Sequence, residues 1–352
     1  MESDKLGVCV IGAGRAGLIH AVNFAKSIKN ARLTAIAEPN HETAQQACRV
    51  LELDHDYRDY RQALEDDAVD AVVVVTPTAY HKDIVVAAAD AGKHIFCEKP
   101  MAMTVGECDE MIAAADRNDV VLQIGFMRRF DRSFVYAKEQ IRQGAIGGVV
   151  LVKSLTRGPS IPQRWQCDIA KSNGPLAEVN SHDIDTLRWF TESEFEQVYA
   201  IAGNYRCPEA REEFPDFYDN VVMVATFANG MQGSIDGAVS VRYGYDARLE
   251  VVGTEGVLFV GRLDYSGVVV CNHSSGLKAP AVESWRNLFA EAYRYEDQGF
   301  IDAVLNGTPP AVSGHDGKMA VKVVNAGNQS IIEKKPIILN EDRSTVGMTN
   351  DE

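Results

Sequence analysis

Leu6-Gly7-Val8-Cys9-Val10-Ile11-Gly12-Ala13-Gly14-Arg15-Ala16-Gly17 starts as an apolar run rich in valine and closes on three glycines, after which Ile19, Val22 and Ala25 recur at helical spacing. The order is strand, glycine turn, helix. Gly12 and Gly14 let the backbone turn tightly and approach a pyrophosphate. Gly17 permits close packing of helix on strand, and the helix N-terminus offers free N–H groups to the anion. A bare Gly-x-Gly-x-x-Gly is equally a plain turn; the strand before it and the helix after it make this one a dinucleotide cradle, with Ala13, Arg15 and Ala16 completing the loop.

Outward from that stretch, Ala31–Ala37 reads as a second strand and ends on Glu38, 26 residues beyond Gly12. A carboxylate there can accept hydrogen bonds from both ribose hydroxyls and repels a 2'-phosphate, which argues for NAD over NADP. The other reading of Glu38 is that it favours the start of a helix opening near Asn40. The alternation continues through a helix at Tyr60–Leu64, the β-branched run Asp70–Thr76 followed by Pro77, a helix at Lys82–Ala91, a capping box at Thr104 and Glu107 opening a helix through Ala115, and a strand at Val120–Phe126. Strands separated by helices imply a doubly wound parallel sheet of about six strands, placing a dinucleotide-binding domain at residues 1–125.

Within that half, Gly92-Lys93-His94-Ile95-Phe96-Cys97-Glu98-Lys99-Pro100 runs an apolar strand into two opposite charges and a proline. The carboxyl ends of such strands are where ligands bind. Pro100 disfavours the helical region for Lys99 and holds it extended, so Lys99 is read as the group that handles a proton. Thr76, Pro77 and His81 fall on the same carboxyl edge as Glu98 and join the expected cofactor contacts.

A chain of 352 residues with 46% hydrophobic residues is long enough for two domains with a core each. Thirty-five basic residues against 50 acidic ones give a net charge of −15, which disfavours nucleic acid and anionic membrane as partners. The seven cysteines are odd in number and widely spaced, with no Cys-x-x-Cys pair; they read as reduced thiols of a cytoplasmic protein, and no metal site is expected. Met1-Glu2-Ser3-Asp4-Lys5 has neither the charge nor the apolar run of a leader, and no segment reaches about 18 consecutive apolar residues.

From Gly148 the pattern changes to strands joined by short turns, at Val149–Leu155, Gln197–Ala202, Asn220–Ala228, Met231–Val239, Ala247–Val252 and Val257–Val260. This predicts an open antiparallel sheet in a domain of residues 126–340, with helices near Asp183–Phe190, Phe300–Leu305 and Lys318–Ile331, the last packing back on the first domain. Val222, Val224 and Thr226 alternate with Met223, Ala225 and Phe227, so both faces are largely apolar and a homodimer or homotetramer through this sheet is expected. Glu178 and His182 stand four apart and on one helix would share a face, giving a relay in which Glu178 orients the ring and His182 passes a proton. A capped, solvated helix start is the alternative. Arg128, Asn180, Asp183 and His182 offer directional donors and acceptors to a polyhydroxylated ring, and Trp165, in a loop with Pro159 and Pro162, can stack on it. Arg128 and Arg129 equally read as salt-bridge residues.

Gly12–Gly17, Thr76-Pro77 with His81, Glu98-Lys99-Pro100 and the Gly174–Asp185 stretch resemble, in order and spacing, the glucose-fructose oxidoreductase, inositol dehydrogenase and MocA (Gfo/Idh/MocA) family over nearly the whole chain, and Gly125–Asp131 is similar to its inositol dehydrogenases. The resemblance implies a Rossmann domain plus an open sheet with NAD or NADP between them, Lys99 beside the nicotinamide, His182 as catalytic histidine, and a cis Lys99–Pro100 bond. Glu178 departs from the family's usual Asp. The implied reaction is oxidation of a secondary hydroxyl of a cyclitol or pyranose. Lysine, at a reference pKa of about 10.4, then needs about three units of depression, or about 4 kcal/mol. A nicotinamide cation about 5 Å away supplies roughly 3 kcal/mol of it. Other readings are an NAD-assisted glycosidase that oxidises its sugar transiently and a dinucleotide-sensing protein without turnover. With Glu38 as the ribose ligand, NAD is expected to bind more tightly than NADP in a fluorescence titration; equal or tighter NADP binding contradicts that assignment.

Overall fold

The computed structural model describes residues 5–54, 56–264, 270–274 and 276–339. Met1–Asp4, which bear on the leader peptide, and residue 340, the expected end of the second domain, lie outside the described residues. In the first half β1 (Leu6–Ile11), α1 (Gly17–Lys26), β2 (Ala31–Ala37), α2 (His41–Leu51), α3 (Tyr60–Leu64), β3 (Ala71–Val74), α4 (His81–Asp90), β4 (His94–Glu98), α5 (Val105–Arg117) and β5 (Leu122–Gly125) alternate as the apolar periods dictate. Val8, Cys9 and Val10 and the whole of β3 are buried because helices cover both faces of the sheet. The Thr104 and Glu107 capping box starts α5.

The sheet order is β2-β1-β3-β4-β5, all parallel. It has five strands, not the six expected. After Gly125 the chain leaves through a tight turn at Met127–Phe130, and the free edge of β5 is taken by a segment from far downstream: the Ile124 N–H donates to the Val312 carbonyl, and Gln123 pairs with Ser313 in a single antiparallel bridge.

The second half contains α6 (Arg132–Arg142), β6 (Val149–Arg157), α7 (Arg164–Cys167), α8 (Ile169–Ser172), α9 (Gly174–Glu178), α10 (Ser181–Thr191), β7 (Phe195–Gly203), β8 (Asn220–Phe227), β9 (Gln232–Ala238), β10 (Asp246–Gly253) and β11 (Val257–Val260). These are followed by the short pair β12 (Val270–Asn272) and β13 (Gly276–Lys278), then α11 (Trp285–Leu288), α12 (Ala290–Asn306), α13 (Gly314–Glu333) and β14 (Ile337–Ile338). Its sheet runs β11-β10-β6-β9-β8-β7-β14 and is mostly antiparallel, with one exception: β6 and β9 are parallel. Four helices, α7 to α10, follow β6, so it cannot form a hairpin with β7. The third strand of the β7-β8-β9 meander pairs with it instead.

One face of this sheet is covered by α10 and α13. On the other, Tyr199 stands opposite Val224 and Ile201 opposite Val222, all four exposed. α12 packs on α1 of the Rossmann unit and α13 lies against α5 and β5, so the last two helices bind the halves together. No helix among the described residues is long and apolar enough to cross a membrane.

Candidate active site

A cavity of about 520 Å³ opens between the carboxyl ends of the parallel strands and the second unit. One end is the glycine turn, where Gly14, Arg15 and Ala16 form the wall and a side chain on Gly14 would meet nothing within 4 Å. Gly12 and Gly17 lie behind the wall and shape it. Gly12 has φ +101, and a Cβ there would lie 2.6 Å from the Val75 carbonyl oxygen. On Gly17 it would lie 1.9 Å from that of Gly12, so only glycine lets α1 approach the strand this closely. Ala13 is buried, and its N–H donates to Glu38 Oε2 at 2.9 Å, while Glu38 Oε1 accepts from Asn40 N–H. The cap of α2 is the Asn40 side chain, bonded to Thr43 N–H, so Glu38 is not the helix cap. An open glycine wall, a helix N-terminus and a carboxylate at the end of β2 fit a dinucleotide.

Thr76, Pro77, Glu98 and Lys99 also line the cavity. His81 does not. It is fully buried, its ring nitrogens lying 2.9 Å from the Pro100 carbonyl and 2.8 Å from that of Thr76, and burial lowers its pKa. Expected at the cofactor, it instead ties the Thr76-Pro77 loop to the Lys99-Pro100 loop, whose peptide bond is cis.

Lys99 leaves the sheet at the end of β4 and reaches across to the second unit, where Nζ donates to the Glu178 main-chain carbonyl at 2.8 Å. The bond goes to the main chain, not to the carboxylate. The Glu178 side chain turns to Thr78 Oγ1 (3.5 Å) and Gln166 Nε2 (3.2 Å). Burial raises its pKa, with Lys99, Gln166 and Thr78 pulling the other way. His182 faces the same cavity, and its buried Nδ1 has no hydrogen-bond partner among the described residues. Burial first, then the charges of Lys99 and Arg128, hold its pKa well below the usual imidazole range, so the ring is neutral.

Glu178 and His182 do not share a helix as the four-residue spacing predicts. α9 ends at Glu178 and α10 begins at Ser181, with both Val179 and Asn180 N–H turning back to the Pro175 carbonyl. Both side chains still reach the cavity, from two helices.

Three expected substrate ligands are placed behind the wall. Asp183 is fully buried and accepts Arg128 Nη1 (2.8 Å), Ser154 Oγ (2.5 Å) and Asn180 Nδ2 (2.8 Å). Arg128 is clamped between Asp183 and Thr156, and Asn180 is also fully buried. Arg129 pairs with Asp185 and Asp316. Both arginines are therefore salt-bridge residues, because a guanidinium this deep must keep its carboxylate. Trp165 does line the cavity, on the one-turn helix α7 rather than a loop, with Nε1 bonded to Gln163 Oε1. Tyr245, just before β10, Trp285 on α11 and Tyr293 on α12 complete the aromatic wall and are not legible in the sequence, since only tertiary packing brings them there.

Residues 6–126 match the family described as an oxidoreductase family with an NAD-binding Rossmann fold, and residues 134–259 match the Gfo/Idh/MocA C-terminal domain. The chain belongs to the Gfo/Idh/MocA oxidoreductase family. It is 36% identical to a myo-inositol 2-dehydrogenase of Thermotoga maritima over 94% of this chain and 98% of that one. To an NAD-dependent scyllo-inositol 2-dehydrogenase of Bacillus subtilis it is 32% identical, over 96% and 98%. Among solved structures, a scyllo-inositol dehydrogenase of Lactobacillus casei with NAD(H) and scyllo-inositol bound superposes with a TM-score of 0.89 at 27% identity, covering 95% of this chain and 99% of that one. As a member of the family this protein is an NAD-dependent oxidoreductase, and its five-stranded unit is the family's Rossmann domain.

The neutral state of His182 has a consequence for stability. Its folded pKa lies below the unfolded value, so its contribution is complete above about pH 6.5 and is lost as the pH falls from there toward the depressed value. His182→Gln is therefore expected to lessen the drop in melting temperature between about pH 7 and about pH 5, as read by thermal denaturation across that range.

Proposed function

We propose that this protein oxidises a secondary hydroxyl of a cyclitol of the inositol kind, or of a pyranose, with Lys99 as general base and His182 in the proton relay. The observation that carries the reading is the convergence of three groups on one cavity beside the Gly14–Ala16 turn: the Lys99 amine, a neutral His182, and Glu178. The inositol dehydrogenases named above, similar over almost their full length, support the substrate class.

NAD, bound along Gly14–Ala16 with Glu38 at its ribose, supplies a hydride acceptor. The chain supplies the proton chemistry. Lys99, held by the Glu178 carbonyl at the junction of the two units, takes the hydroxyl proton once it is unprotonated. His182, neutral and facing the cavity, is able to bond the same hydroxyl and hand the proton on. Glu178, with its carboxyl shifted toward the protonated form, stands next to that path, which gives the longer side chain a place in the relay. Trp165 and Tyr245 offer flat apolar walls to a ring. Beyond Arg15 at the dinucleotide turn and Lys99, no arginine or lysine among the described residues lines the cavity to pair with a phosphate, so a neutral polyol is proposed over its phosphate.

We also propose a cytoplasmic location, on the free thiols of Cys9, Cys97 and Cys108 in the Rossmann core. A homodimer or homotetramer is proposed through the open face of the seven-stranded sheet, where Tyr199, Ile201, Val222 and Val224 form an exposed apolar block.

Lys99→Ala is expected to keep NAD binding and lose at least about a hundredfold in kcat; near-normal turnover removes Lys99 from the mechanism. In a panel of inositols, aldoses, glycosides and inositol phosphates, net NADH release is expected with neutral cyclitols or free sugars. Aglycone release without NADH would mark the glycosidase, and no turnover at all the sensing protein. Light scattering is expected to give a dimer or tetramer mass that Val224→Glu reduces, and a monomeric parent contradicts the interface.

A further inference from the structure

A buried cluster that this scheme does not use lies behind the cavity wall. His20, on α1, is fully buried, with Nδ1 2.6 Å from Asp297 Oδ1 on α12 and Nε2 3.1 Å from Glu98 Oε1 at the end of β4. Asp297 takes a second bond from Asn23 Nδ2 at 2.8 Å, and Glu98 Oε2 accepts the main-chain N–H of Lys99 at 2.9 Å. The imidazole is boxed in by Phe96 and Tyr293, at ring distances of 5.1 and 5.5 Å. The backbone at Gly125 closes on the Glu98 carboxylate from the other side, where a Cβ would come within 3.0 Å of Cδ.

The charges fit a clamp. Burial works to lower the His20 pKa, but Asp297 and Glu98 outweigh it and hold it well above the usual value. Both ring nitrogens face carboxylate oxygens, and only an imidazolium has two N–H groups to give them. Of the other groups facing the cluster, Glu296 on α12 has its pKa pushed well above the usual carboxylate range by burial and then by Glu98, against the pull of His20, while Tyr293 on α12, Gln123 on β5 and Asn23 on α1 carry no charge.

We propose that His20, backed by Asp297, is a positioning residue for Lys99: it fixes the Glu98 carboxylate that holds the Lys99 main-chain N–H, and so sets the point from which that side chain reaches the cavity. A clamp between α1 and α12 needs only the Asp297 arm. The Glu98 arm is what carries the clamp to the site. The cluster also joins three elements that must keep register during hydride transfer: the helix behind the dinucleotide turn, the strand bearing Lys99, and a helix from the second unit. A displacement of about 1 Å at a reacting group costs about a hundredfold in rate.

The proposal rests on Lys99 as the base, and its test separates the two. His20→Ala and Glu98→Ala are each expected to lower kcat about tenfold to a hundredfold, His20→Ala at unchanged KM for NAD, and the double variant to be no slower than the slower single one, because both remove the same arm. Asp297→Asn, near-isosteric, serves if His20→Ala does not fold; its effect on kcat is likewise expected to vanish in the Glu98→Ala background. Losses that multiply in the double variant, or a lowered melting temperature at parental kcat, overturn the proposal. Lys99→Ala is assayed alongside. If it keeps normal turnover, the reading of Lys99 as base falls; if it loses turnover while the other losses multiply, only the positioning role falls.

Discussion

The bond from Lys99 Nζ to the Glu178 carbonyl is the constraint on which the site depends, because it joins the end of a Rossmann strand to the second unit across the cavity. The amine belongs to one half of the chain and its acceptor to the other, 79 residues on. Main-chain oxygen is a suitable partner for the base role proposed for Lys99. A carboxylate at the same place would stabilise the ammonium and raise its pKa, whereas a neutral carbonyl orients Nζ with a weaker penalty on deprotonation.

Around this bond the protein separates buried charge from reacting charge. Arg128 with Asp183, Arg129 with Asp185 and Asp316, and His20 with Asp297 and Glu98 are clusters behind the cavity in which each cation has a carboxylate, because an unpaired buried charge would cost several kcal/mol. On the cavity side stand groups whose pKa departs from the ordinary value: His182, which burial holds low, and Glu178, which burial pushes up. Perturbed titration concentrated on one concave surface is what proton transfer requires.

Much of this was readable from residue order. The glycine turn, Glu38 at the end of β2, the β4 run into Lys99 and the Thr104–Glu107 cap depend on local chemistry, and the structure forms them where the periodicities put them. The His20 cluster escaped notice although a trace of it existed: the apolar stripe of α12, through Tyr293, Phe300 and Ile301, passes over Glu296 and Asp297, acids in positions that face a core. Such a break in a stripe shows that a polar partner exists, but not that it is a histidine 277 residues away. Arg128, Asn180 and Asp183 illustrate the converse. Their side chains suit a sugar, and nothing local reveals that Arg128 and Asn180 both bond Asp183 instead.

The sequence by itself determined the Rossmann unit, the dinucleotide turn and the lysine at the strand end, because strand and helix periods, glycine geometry and the X-Pro restriction act over a few residues. Only the tertiary structure decided that Glu178 and His182 approach from two helices, that β6 and β9 run parallel, and that aromatic residues from α11 and α12 close the cavity. Those outcomes depend on which distant surfaces bury one another and which buried charges find partners, and both are set by packing across the whole chain.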